Sequence, residues 1–162
     1  PGKAYNYEKI ARIPYLLVRP DPRLKTRATV DHLKEILAAI YDQRTPRAIV
    51  VEEAHLYNPS PQIPEDTLEL IAREGRAYGQ NLILITQRIQ DFPKLLWSQC
   101  KETSAFRCMI PHDIKYFQAV IPEFPEINDN LELHDVVRFF HESGEYEILK
   151  AAQIKRITPH LG

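Results

Sequence analysis

Four apolar residues, Ala48-Ile49-Val50-Val51, run directly into two carboxylates, Glu52 and Glu53. A stretch that is apolar at every position and rich in β-branched side chains predicts a parallel strand covered on both faces. The first polar residues beyond such a strand emerge at the carboxyl edge of the sheet, where open α/β sheets bind ligands. Two acids at that edge suit phosphoryl transfer: one fixes a hydrated divalent cation and the next orients the attacking water. The same pair also suits a plainer role, as acids favoured by the N-terminal dipole of a following helix.

The neighbouring segments predict how that strand is built into a sheet. Tyr15-Leu16-Leu17-Val18, stopped by Arg19-Pro20-Asp21-Pro22, reads as a strand entering a loop. Leu33, Ile36, Leu37, Ile40 and Tyr41 recur at helical spacing behind Asp31, and Arg44-Thr45-Pro46 ends that helix. Strand, helix and strand in this order form a βαβ unit with a right-handed crossover. The proline-rich stretch from Asn58 to Pro64 predicts an exposed loop. A second helix then runs from Glu65 to Tyr78, with Leu68, Ile71 and Tyr78 inward and Gly79 as its C-cap. Leu82-Ile83-Leu84-Ile85 is another buried strand, whose polar exit is Thr86-Gln87-Arg88. A short helix over Leu95, Leu96 and Trp97 follows, then a strand from Ser104 to Ile110 and a helix opened by Pro111 and running through Phe117 and Val120. Val136 to Phe140 and Tyr146 to Leu149 predict an antiparallel hairpin turning at Gly144, on the edge of a mostly parallel sheet sandwiched by helices.

At 162 residues and 44% apolar, the chain is expected to form a single α/β domain spanning residues 1–162. Twenty-one basic and 22 acidic side chains leave a net charge of -1, so any contact with nucleic acid must come from a local patch or an assembled ring. No signal peptide and no apolar run long enough to span a bilayer is visible, so a soluble, cytoplasmic chain without a membrane partner is expected. Cys100 and Cys108 lack a C-x-x-C spacing and the histidines lack an H-E-x-x-H spacing, so zinc is not expected. The basic tail, Lys150, Lys155, Arg156 and His160, suits a solvated terminus first, and otherwise a channel lining or a contact with a neighbour.

Two strands thus deliver polar residues to one sheet edge, Glu52-Glu53 from the first and Thr86-Gln87-Arg88 from the second. A glutamine or threonine beside a catalytic carboxylate can hydrogen-bond the attacking water or the terminal phosphate. The helix between them carries Ile71-Ala72-Arg73-Glu74-Gly75-Arg76-Ala77-Tyr78-Gly79, whose arginines suit either transition-state charge on a neighbouring subunit's nucleotide or solvated helix decoration.

With Pro46 to Tyr57, Ile71 to Gly79, Leu82 to Arg88 and Ser98-Gln99-Cys100 in this order and at similar spacing, the chain resembles the HerA branch of the FtsK-HerA P-loop ATPases. The resemblance implies a RecA-like P-loop NTPase core, a homo-oligomeric and usually hexameric ring, and ATP- and Mg²⁺-dependent translocation of double-stranded DNA, with a nuclease partner in some members. By that resemblance Glu52 is the Mg²⁺-binding position of the Walker B motif, Glu53 the water-activating base and Gln87 the sensor. Thr86, Arg88 and Arg73 fall in nucleotide-facing motifs, and Arg76 is the first choice for the arginine that reaches across a subunit boundary.

The family's Walker A loop has no counterpart here. Only Pro1-Gly2-Lys3-Ala4 echoes it, without a preceding strand or a following hydroxyl residue. Three arrangements are compatible with this sequence. The chain is the carboxyl-terminal part of an ATPase whose phosphate loop lies upstream, or a degenerate non-hydrolysing scaffold or ring subunit, or a small α/β binding domain that shares only the fold.

Overall fold

The computed structural model describes residues 6–19, 26–57 and 66–154. Two compact units are distinguished, Pro1–Gln87 with Asp91–Gln99 and Arg88–Gln90 with Cys100–Gly162.

The first unit contains α1 (Tyr7–Ala11), α2 (Thr26–Asp42), β1 (Arg47–Val51), α3 (Asp66–Glu74), β2 (Gln80–Leu84) and α4 (Lys94–Ser98). β1 and β2 pair in parallel, with Arg47 opposite Gln80 and Val51 opposite Leu84, and α3 lies between them in sequence. The βαβ unit is therefore β1-α3-β2. Helical spacing sets the buried stripe of α2, which includes Ile36, Leu37, Ile40 and Tyr41, and that of α3, which includes Leu68 and Ile71.

A single turn of 3₁₀-helix, Gly75–Tyr78, carries α3 on to Gly79, whose left-handed φ of 71° closes the segment. A side chain is disfavoured there twice over, by that φ and because a Cβ on Gly79 would crowd the Pro46 ring at 3.1 Å. Around this amino edge of the strands the polar groups are tied to one another. Tyr41 donates to Glu74 Oε2 at 2.6 Å, and the Arg44 guanidinium lies 3.9 Å from the Tyr41 ring and 4.1 Å from the Tyr78 ring. Gln80 Nε2 donates to the carbonyls of Ile40 and Tyr41, fastening β2 to the last turn of α2.

The second unit contains β3 (Glu102–Ala105), α5 (Pro111–Gln118), α6 (Phe124–Asp129), β4 (Val136–Phe140) and β5 (Tyr146–Leu149). The strands form an antiparallel sheet in the order β3-β4-β5. Phe117 and Phe124 meet at 4.8 Å between ring centroids and are buried, as are Leu131 and Val137. Asp135, just before β4, is buried and accepts from Lys150 Nζ at 2.8 Å, Ala151 N at 2.9 Å and Glu132 N at 3.0 Å.

The fold class read from the sequence holds: a parallel pair, helices and an antiparallel sheet make an incomplete α/β core. Several details differ. Tyr15–Val18 is not a strand; Tyr15 is 96% exposed and Leu17 74% exposed. Apolar side chains alone do not make a ladder, and the prolines at 14 and 20 remove donors on either side of this run. The strand expected over Ser104 to Ile110 begins two residues earlier and stops at Ala105. Beyond it the chain is held by the buried Asn128 side chain, which accepts from Cys108 N at 2.7 Å and donates to Cys108 O at 3.0 Å. α1 and α6 were not foreseen from the sequence, since each is under two turns long and Pro125 reads as a breaker although it sits in the first turn.

The parallel pair is also not covered on both faces. Ile49 and Val51 are buried, whereas Val50 is 55%, Ile83 49% and Ile85 46% exposed. Among the described residues no helix is long and apolar enough to cross a membrane. Gly2-Lys3, the proline-rich stretch from Asn58 to Pro64, and Lys155, Arg156 and His160 lie outside the described residues.

Candidate active site

The two carboxylates occupy a local insertion in the ladder. Ile85 N–H donates to Val51 O at 2.9 Å, and Ile85 O accepts from Ala54 N at 2.8 Å. With Val51 opposite Leu84, a regular parallel ladder would return that second bond from Glu53. It comes from Ala54 instead, so Glu52 and Glu53 form a bulge with one extra residue. Glu53 takes a φ of 50°, a left-handed conformation that costs an L-residue about 1–2 kcal/mol. Its carbonyl accepts from Leu56 N at 2.8 Å, starting the 3₁₀ turn Ala54–Tyr57. The strain is held in place by bonds on both sides of it, as is common where a bulge re-aims a side chain.

The bulge brings Glu53 to Gln87, and the 3₁₀ turn that follows it brings His55 to Thr86. Gln87 Nε2 donates to Glu53 Oε1 at 2.7 Å. His55 Nδ1 lies 3.0 Å from Thr86 Oγ1 and 3.5 Å from Glu53 Oε2. The Glu53 side chain is 39% exposed and that of His55 10%, while Glu52 and Gln87 are exposed. Beside them, burial pushes the Tyr57 phenol pKa up, and the carboxylates of Glu52 and Glu53, which make the field here negative, push it further.

The arginines are placed differently. Arg73 is exposed on α3 and pairs with Glu69 at 3.3 Å along the helix. Arg76 is exposed in the 3₁₀ turn before β2, four residues ahead of Gln80, which pairs with the opening residue of β1. Both therefore belong toward the amino edge, and six residues of strand from Gln80 to Thr86 span about 20 Å. Within one chain Arg76 does not join Glu53. Arg88 is exposed and belongs to the second unit. His55 was not foreseen as a site residue, although it stands two positions from Glu53 in the same motif.

Among the described residues no group of three or more His, Cys, Asp or Glu side chains could hold a metal ion. Mg²⁺ does not require one, because it keeps several waters and takes one or two carboxylates together with phosphate oxygens. The exposed Glu52 carboxylate in a negative field fits that donor set. Gly75 and Gly79, the described glycines of the first unit, lie toward the amino edge, so the described residues of this unit fit the metal and water side of a nucleotide site and not its phosphate cradle.

No protein-family profile matches the chain. Over 83 residues, 50% of its length, it is 35% identical to the probable DNA double-strand break repair helicase HerA of Methanocaldococcus jannaschii. The HerA-type resemblance holds. The matched stretch is 16% of that HerA protein, so the chain answers to a small part of it. In structure, the chain is similar to the genome packaging NTPase B204 of Sulfolobus turreted icosahedral virus 2 in complex with ATP-gammaS. The TM-score is 0.74 at 18% identity, over 91% of this chain and 72% of that one. The complex of the same NTPase with AMPPCP gives the same TM-score. B204 of Sulfolobus turreted icosahedral virus, a DNA-packaging ATPase, gives 0.62 at 16% identity over 91% of this chain and 76% of that one. At these identities the likeness to the packaging NTPases is one of fold, and the stretch similar to HerA lies in a chain of that fold.

Proposed function

We propose that this chain is the water-activating part of a HerA-type motor that hydrolyses ATP with Mg²⁺ and drives double-stranded DNA. The bulge carries the reading. It turns a carboxylate out of the ladder, holds it partly exposed and sets a Gln87 amide 2.7 Å away, which is the geometry a general base and its water-orienting partner need.

Each residue then has a task. Glu53 accepts the proton of the attacking water, and Gln87 shifts its amide from Glu53 to that water or to the terminal phosphate. Glu52 offers one oxygen to the hydrated cation, and Thr86 and Arg88 face the nucleotide from the end of β2. When bound, Mg·ATP supplies the electrophilic phosphorus and neutralises its charge. Arg76, with Arg73 beside it, serves the nucleotide of an adjacent copy in a ring, which agrees with its distance from Glu53 in its own chain. A hexameric ring and a nuclease partner belong to the same reading. The glycine-rich phosphate loop comes from polypeptide upstream of residue 1. Support for that lies in the half-exposed Val50, Ile83 and Ile85, since parallel sheets are covered on both faces.

The test is phosphate release by the full-length protein. Glu53→Gln is expected to lower kcat by about 10³-fold with ATP affinity kept, because only the charge that activates water is removed. Turnover at the unmodified rate in that variant overturns the assignment of Glu53. Duplex DNA should bind the assembled protein with a steep salt dependence, and salt-insensitive binding removes the motor.

A further inference from the structure

Glu53 is approached on both of its oxygens, Oε1 by Gln87 and Oε2 by His55. The two neighbours differ in kind. Gln87 is exposed, and as a long amide it retains rotamer freedom. His55 is a rigid ring, nine-tenths out of solvent, on the 3₁₀ turn that begins where the bulge ends. One atom of it, Nδ1, faces both Thr86 Oγ1 at 3.0 Å and Glu53 Oε2 at 3.5 Å.

The tautomer decides which partners the ring can serve. With its hydrogen on Nε2, the ring accepts the Thr86 hydroxyl through Nδ1; with the hydrogen on Nδ1, it donates to Thr86 or to Glu53. With the hydrogen on Nδ1, shared between Thr86 Oγ1 and Glu53 Oε2, that one fixed nitrogen ties the end of β2 to the base carried by β1. A carboxylate that must meet a water in one orientation loses rate when its carboxyl plane wanders, so a group that fixes the plane acts on turnover rather than on affinity.

We propose that His55 is a positioning residue, whose Nδ1 holds the Thr86 hydroxyl and the Glu53 carboxylate in register across the bulge, and this rests on the hydrolytic reading given above. The nearly buried ring has no part in binding nucleotide; it acts through Glu53 and Thr86.

Two measurements on the full-length protein decide it. In protein labelled with ¹⁵N-histidine, the His55 Nδ1 resonance should move in both Thr86→Val and Glu53→Gln, without nucleotide present. A resonance unchanged by both substitutions overturns the proposal. In phosphate-release assays, His55→Leu should lower kcat by about 10–100-fold, the range seen for groups that orient a functional side chain, with KM for ATP and the melting temperature held. His55→Asn, whose amide falls near the place of Nδ1, should recover most of that loss. A loss carried by KM or by melting temperature, or an asparagine variant no better than leucine, overturns it. If the unmodified protein does not hydrolyse ATP, the function proposed above falls by itself, and the ring-nitrogen result still decides whether His55 holds its two partners.

Discussion

Asp135 and Glu53 are both carboxylates at the margin of a strand, and they are used in opposite ways. Asp135 is buried, and its two oxygens accept two backbone N–H groups and the Lys150 ammonium. Those bonds, the one from Lys150 first, pull its pKa down to about 2. Glu53 is partly exposed, sits on a left-handed backbone and has one hydrogen-bonded side-chain partner and one at ion-pair distance. A carboxylate whose acceptor capacity is filled by its own fold can do no chemistry on a visitor. One held in place but left open can. The contrast separates an acid taken up by the fold from one left open to solvent, where residue type does not.

The comparison can be broken most sharply by exchanging charge for amide at each site. Asp135→Asn should lower the melting temperature by several degrees, since it loses the Lys150 pairing and sets an amide against backbone donors. Glu53→Gln should leave it unchanged. Equal shifts in the two, read by calorimetry, would erase the distinction.

Acid sharpens the same contrast. The folded pKa of Asp135 is depressed from 3.8 to about 2, so its stabilisation is fully present above pH 3.8 and is lost as pH falls toward 2. Urea midpoints between pH 4 and pH 2 should fall steeply in the unmodified protein and less so in Asp135→Asn. Parallel curves for the two would contradict the role given to this side chain.

A smaller effect of opposite sign is expected at the bulge. Glu53→Gly removes the left-handed strain and should raise stability by about 1 kcal/mol in urea titrations while abolishing turnover. A net loss of stability would mean that the Gln87 and His55 contacts outweigh the strain. Smallest of all, Arg73→Ala removes one exposed pair along a helix and should cost about 0.3–0.5 kcal/mol.

Much of this was legible in the sequence. The run from Ala48 to Val51, the stripe of Leu68 and Ile71, and the hairpin around Gly144 each follow from local spacing. Gly79 as a C-cap follows from its chemistry alone. The bulge did not, because an extra residue in a ladder is defined by the partner strand: only the return bond from Ala54 to Ile85 reveals it. The position of the arginines was available from topology, since a helix between parallel strands returns the chain to the amino edge, and Arg76 lies just before β2 begins. His55 was hidden by its residue type. A solitary histidine carries no signal until the fold puts Thr86 beside it.

The bare side of the parallel pair has a practical corollary. With a net charge of -1 and an isoelectric point near 6.7, copies of this polypeptide carry little mutual repulsion at neutral pH. Where no further polypeptide covers them, Val50, Ile83 and Ile85 then offer a half-exposed apolar plane to a second copy. Light scattering should show self-association strongest near pH 7 and receding at pH 9, and Val50→Lys, which puts a charge on that plane, should suppress it.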